Sequence, residues 1–388
     1  MSSRRRNRQS SMLLDPSLRP SRRKRLARWW SLQVAPFWRV WYRTNRWLRR
    51  TVVAIAVVAP VLLLRGVVTD FRQQWSPRAI PGQVVLGRNG SLGGMMLFPE
   101  DNHWNLRIDD RPVAPLSDVQ IAAIGEDVPL HPDFGSNRIG TQVYGIPYVV
   151  VDGFELVPST PVFHFAEESD EGEYPIPVDP PIESGGDRHL LIIDISENRL
   201  FELYLAEKRG ATWTAASGAI FDLNSNASRP RGWTSADAAG LPILPGLVRA
   251  DEVYDLGEIR HALRFTLPRT REAFVYPARH HASRVNDEEL LPMGARLRLK
   301  QDYDLSDFPP GARVIAAALK RYGMMVADNG SALYLTGTAD RRWKRIDIDA
   351  LKRIRAIDFE VIVPPPPPAD DTTIRQELEG ALPGFSAQ

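Results

Sequence analysis

The side chains able to do acid–base work in this chain concentrate between residues 222 and 281. They are the carboxylates Asp222, Asp237, Asp251 and Glu252 and the imidazoles His261 and His281. Glycoside hydrolysis needs two carboxyl groups a fixed distance apart across the scissile bond. Polysaccharide elimination instead needs a base and a cation that neutralises a uronate carboxylate, and His261 or His281 with Arg249 or Arg264 meets that description. The catalytic candidates are therefore Asp237, Glu252, His261 and His281. Other chemistries find no support. The chain has no cysteine, which removes thiolate nucleophiles, thiolate metal sites and disulfides. Its seven histidines form neither HxH nor HExxH, and His280 and His281, if placed on a strand, point to opposite faces. No GxSxG elbow, Walker loop or dinucleotide loop occurs. No metal and no cofactor are expected.

The stretch GWTSADAAGLPILPGLVRADEV, residues 232–253, must position several of these groups. Its prolines and small residues forbid a long helix, and it is too apolar for a solvated loop. It reads as a rigid, mostly buried connection at the edge of a groove, the usual composition of a pocket wall. Trp233, Leu241 and Ile243 would anchor it, with Thr234, Ser235, Asp237, Arg249 and Glu252 facing the cavity. On a strand HALRFT, Arg264 and Thr266 share one face and His261, Leu263 and Phe265 the other. In ARLRLK, Arg296, Arg298 and Lys300 line one face opposite Leu297 and Leu299. If these faces are outward and adjacent, they form a basic platform for carboxylates of an acidic glycan, because guanidinium groups hold carboxylates bidentately. The binding candidates are Trp233, Ser235, Arg249, Arg264, Arg296 and Arg298. The plainer alternative is a solvated strand face.

The elements around these residues are mostly strands. YGIPYVVVDG, HLLIIDISENRLFELYLA, HALRFTL, AFVYPA, ARLRLKQDYDL and MMVADNGSALYLTGT are rich in β-branched and aromatic residues, with turn residues between them. Hairpin turns are predicted at Ser196 to Asn198 and at Asn329-Gly330. GARVIAAALKRYG, with Val314, Ala317 and Ala318 as its apolar positions, and DIDALKRIRAI are the helix candidates. With 32 prolines and 27 glycines, the expected fold is mainly β, a sandwich or jelly-roll-like domain with a few short helices. One N-terminal transmembrane helix would precede it. The stretch from Glu167 to Asp187 carries eight acids and no EF-hand spacing. A solvated acidic loop explains it more simply than calcium does.

The net charge of +2 conceals an asymmetry. Residues 1–50 hold 15 Lys/Arg and one acid, and the remainder holds 34 basic and 46 acidic residues. The basic head runs into TVVAIAVVAPVLLL and on to Val68. This apolar run is shorter than the roughly 20 residues of a full span, but Arg49, Arg50 and Arg65 can snorkel to the two interfaces. The positive-inside rule places the head in the cytoplasm and the rest outside. A cleaved signal peptide and twin-arginine export are the competing readings. The expected organisation is a basic cytoplasmic segment (1–50), a signal anchor (51–68), a linker (69–96), an extracytoplasmic β-rich domain (97–363) and a Pro-rich disordered tail (364–388).

The succession FPEDNHWN, LHPDFG, YGIPY, SGAIFDLNSN, GWTSADAAGLPILPGLVRADEV, HALRFT and ADNGS resembles a family of exported or surface bacterial proteins. The resemblance spans about residues 97–363 and implies an extracytoplasmic globular unit, without implying a chemistry. LLIIDISENRLFELYLAEKRGATWTAASGAI is similar to the opening hairpin of L,D-transpeptidases. Their nucleophile is a cysteine, and this chain has none. The functional expectation is a membrane-anchored extracytoplasmic protein that binds or processes an acidic polysaccharide, with polysaccharide and membrane as partners and no nucleic acid. The alternative is a non-catalytic structural or interaction protein of the bacterial envelope.

Overall fold

The computed structural model describes residues 80–136, 138, 139, 142–371 and 373. The basic segment and the apolar run of residues 51–68 lie outside the described residues. Among the described residues no helix is long and apolar enough to cross a membrane. The fold is mainly β, with strands numbered in chain order. The first sheet has the order β1 (Gly87–Arg88), β5 (Tyr148–Val151), β7 (Leu190–Asp194), β8 (Arg199–Tyr204), β11 (Ser217–Asp222). The second has the order β16 (Phe359–Val361), β13 (Arg296–Leu299), β14 (Met324–Asn329), β12 (Leu263–Leu267), β15 (Tyr334–Thr336), β2 (His131–Asp133). A smaller sheet orders β6 (Val162–Phe163), β10 (Thr212–Ala215) and β9 (Glu207–Arg209), and β3 (Arg138–Ile139) pairs with β4 (Gln142–Val143). Parallel pairs occur in each of the three larger sheets: β5 with β7, β12 with β14, β15 with β2, and β10 with β6.

Alternation along the first sheet assigns its two faces. Tyr148, Val150, Leu191, Ile193, Leu200 and Phe221 enter the main core, which also takes in the second sheet. Val149, Val151, Leu190, Ile192, Phe201 and Leu203 join a separate cluster with Trp213 and Ala215 of the small sheet. Both faces are covered, which is why β7 reads as an unbroken apolar run. The helices are α1 (Ser117–Ile124), α2 (Pro310–Arg321) and α3 (Arg345–Leu351). The sequence reading did not include α1. It placed α2 and one of its core positions correctly: Ala318 is buried with Ala312, Ile315, Ala316 and Leu319, Val314 is half-buried against the core, and Ala317 is half-buried.

The hairpin at Ser196–Asn198 forms, with Asn198 at φ 53° between β7 and β8. The one at Asn329-Gly330 does not. Strand β12 lies between β14 and β15, parallel to the first and antiparallel to the second, so the turn connects strands that never pair. AFVYPA forms no strand and contributes only an isolated bridge from Phe274 to Met293.

Residues 232–253 are the buried connection that their composition implied. Every residue from Ala239 to Val253 is buried, and Leu241, Ile243, Leu244, Leu247, Val248 and Val253 belong to the main core. The backbone amides of Ile243 and Leu244 donate to the Glu202 carboxylate of β8 at 2.8 to 3.0 Å, while Val248 bridges to Gly337. The connection thus ties both large sheets together. The described parts of the two segments expected to be a linker and a disordered tail, residues 80–96, 364–371 and 373, pack on the folded body, and the rest of both lies outside the described residues. Residues 87–88 form β1, and Leu92 enters the core. The carbonyls of Pro364 and Pro366 accept from Arg111 and His103, and the buried Asp371 carboxylate accepts from Ser228 and Tyr276.

Candidate functional site

Three sequence candidates come together at one place. Arg249 lies near the end of the buried connection, Glu252 opens a π-helical turn (Glu252–Leu256) and His261 lies two residues before the start of β12. Arg249 Nη2 donates to Glu252 Oε1 at 2.5 Å, and His261 Nε2 lies 3.1 Å from Glu252 Oε2. His261 Nδ1 lies 2.8 Å from the Ala262 carbonyl. The π turn places Glu252 between Arg249 and His261, and Gly257 in the left-handed region at φ 76° terminates it. Such turns recur at functional sites because the extra residue re-aims the side chains around it. Burial alone would raise the Glu252 carboxyl, but Arg249 and His261 outweigh it and hold it below the usual carboxylate range. Next to it, burial raises Asp251 despite Arg249, and its Oδ2 accepts from Ser91 at 2.8 Å.

The trio lines a cavity of about 230 Å³. The opposite wall is the stretch Gly93 to Leu97, from the segment read as a linker. Gly93, at φ +61°, is fixed there because a Cβ would sit 2.6 Å from the Gln83 backbone. Arg249 is buried, yet its Nε and Nη1 and the Oδ1 of Asp251 have no hydrogen-bond partner among the described residues. A buried guanidinium left with open donors carries a desolvation cost that a bound acceptor would relieve. Glu258 and Arg260 are the exposed charges of the lining, with Arg260 Nη2 donating to the Gly94 carbonyl at 2.7 Å.

Compared with family models, curated proteins and solved structures, the chain matches none.

The remaining candidates lie elsewhere. Asp237 is buried and forked by Arg264 at 2.9 and 3.2 Å, and Arg264 also donates to Thr336. Burial pushes the Asp237 carboxyl up and Arg264 opposes it. Ser235 Oγ donates to the Leu241 carbonyl and accepts from the Asp237 amide, which stabilises the loop. Trp233 is half-buried under the Arg229 guanidinium. His281 is distant from the trio, its Nδ1 3.0 Å from the Ser283 carbonyl. Its ring lies parallel to that of His280, within 3°, rather than on an opposite face, because the pair sits in a loop and not in a strand.

The exposed basic platform is not there. Arg264, Arg296 and Arg298 are all buried. The alternation in β13 was read correctly, but the face carrying the arginines is covered by residues 103–111. Arg296 donates to the carbonyls of His103, Leu106 and Tyr322 at 2.7 to 2.9 Å, and burial pulls its pKa down to about 9. Arg298 donates to the carbonyls of Ile108 and Arg111 and pairs with Glu360. These side chains are clamps that satisfy backbone acceptors of the covering segment.

Sequence reasoning missed Glu202, which is wholly buried and raised to about 7 by burial. It also missed Asp328, raised to about 7 by burial and by nearby Asp237. Glu202 was detectable as an acid on the core-facing alternation of Leu200 and Tyr204. Perturbed carboxyls mark functional sites in general, but the Glu202 carboxylate is engaged by backbone amides. The Gly93-Gly94 pair beside Met95 and Met96 was the signal for the missed cavity wall.

Proposed function

We propose that this chain is a membrane-anchored extracytoplasmic protein that binds a sugar residue of an acidic polysaccharide in the cavity at Arg249, Glu252 and His261. The observation that carries this reading is an ionised Glu252, held between the Arg249 guanidinium and the His261 imidazole, in a cavity also lined by Met95, Met96 and Leu97. A carboxylate of that kind accepts sugar hydroxyls in charge-assisted bonds, and the apolar walls suit the C–H faces of a ring. Arg260, exposed in the lining, favours a ligand that also carries a carboxylate. Binding is favoured over cleavage because both Glu252 oxygens and both His261 nitrogens already face protein partners. We read the two large sheets as the layers of a β-sandwich, with the apolar run of residues 51–68 as its anchor.

The test is calorimetric titration with uronate-bearing and neutral glycans. The parent should bind the uronate ligands. Met96→Trp, which fills the cavity while leaving Arg249, Glu252 and His261 in place, should abolish binding at unchanged thermal stability, and Glu252→Gln should weaken it. Normal binding by a folded Met96→Trp variant would move the site elsewhere. A second reading, an envelope interaction protein, is favoured by Phe154, Val157 and Val178, which are 79, 88 and 92% exposed. Such side chains suit a protein partner.

A further inference from the structure

The cavity does not stand alone on its side of the domain. Glu258 lines both the cavity and a second depression of about 300 Å³ formed by Ile259 and the exposed side of α2. Arg313 and Ala317 line both that depression and a third, of about 600 Å³, reaching to residues 302–306. The three therefore adjoin in sequence, sharing walls.

The charges along the series are mixed, with a cationic middle. Arg313 and Arg321 are exposed in the second depression. Arg313 is held in place by donating to the carbonyls of Ser306 and Phe308 at 3.0 Å. Arg321 has no ion-pair partner among the described residues. Against them stands Glu258, already 3.5 Å from Arg260. Asp302 and Asp304 face the far depression, beside Lys320. An anionic chain would thus meet Arg260, then Arg313 and Arg321, before encountering any acid that is not already paired.

We infer that the three depressions form one track for successive residues of a uronate polysaccharide, one residue seated in the cavity and Arg313 and Arg321 engaging the carboxylates of those that follow. This rests on the cavity reading above and adds the dimension of chain length. It also relocates the basic surface expected from β12 and β13 onto α2, where Arg313 and Arg321 are exposed.

The experiment compares galacturonate with its tri- and hexasaccharides by calorimetry on the full chain. Affinity should rise with length in the parent. Arg313→Ala/Arg321→Ala should lower binding of the longer ligands about tenfold, the scale of one or two charge-assisted contacts, and leave the monosaccharide unchanged. Arg321→Glu, which spares the carbonyl bonds of Arg313, should act in the same direction if the double variant is unstable. A length-dependent gain that survives both variants, or one shared equally by neutral oligosaccharides, overturns the track and leaves the cavity reading intact. Absence of binding at every length defeats both.

Discussion

Replacing Glu202 by Gln should change how the stability of this domain depends on pH. The carboxyl is fully buried and shifted from the ordinary 4.5 to about 7, chiefly by burial. The folded state therefore holds a proton that the unfolded state has released. With the folded value raised, the stabilisation is fully present below about pH 4.5 and is lost as pH rises through about 7. Between pH 5 and 8 the loss amounts to roughly 2 to 3 kcal/mol, from a shift of that size at 1.36 kcal/mol per pH unit. A glutamine is neutral throughout and keeps one acceptor oxygen for the amides of Ile243 and Leu244. Urea unfolding of parent and variant at pH 5 and pH 8 measures the effect. The parent's extra loss of stability between the two pH values should shrink by that amount in Glu202→Gln, other titrating groups cancelling in the comparison. An unchanged pH dependence would refute the reasoning and leave Glu202 as an ordinary ionised acceptor of backbone amides.

Two further outcomes test the packing around the site. Asp237→Asn strands the buried Arg264 charge and should cost about 3 to 5 kcal/mol in chemical denaturation, most of it recovered by adding Arg264→Met; additive losses from the two changes would contradict the pairing. Gly246→Ala should cost about 1 to 3 kcal/mol, seen as a lowered thermal midpoint, since its Cβ would lie 2.8 Å from the Trp104 ring and 2.9 Å from the Arg264 Cβ.

What could be read from the sequence was what local chemistry encodes. The β7–β8 hairpin follows from an apolar run, a polar turn and a second run, and the structure forms it. The Asn329-Gly330 turn has equally good chemistry. Strand pairing, however, was decided by β12, which precedes it by some sixty residues, and no local signal announces that insertion. Alternation assigned Arg296 and Arg298 to one face but could not show that residues 103–111 lie over it. At the cavity, the loop composition pointed to Arg249 and Glu252. Asp237 and Ser235 share that composition but point into the interior, because a loop without regular periodicity does not reveal which way each side chain turns. The opposite wall was hidden by its own glycines, which in a sequence look like linker.

The threading of residues 239–253 between the two large sheets bears on how the molecule can assemble. Leu335 of β15 pairs with Pro132 of β2, and Phe359 of β16 with Leu299 of β13, so the second sheet closes only with distant parts of the chain. Long loop closures of this kind slow folding, because their entropy is lost before the contacts form. The connection adds an order to these events. It has to occupy its place while the layers are still open, since its apolar residues supply the surface against which both sheets pack. Neither sheet is then a separable folding unit, and a single proteolytic cut between Ala239 and Val253 would dismantle both sheets together.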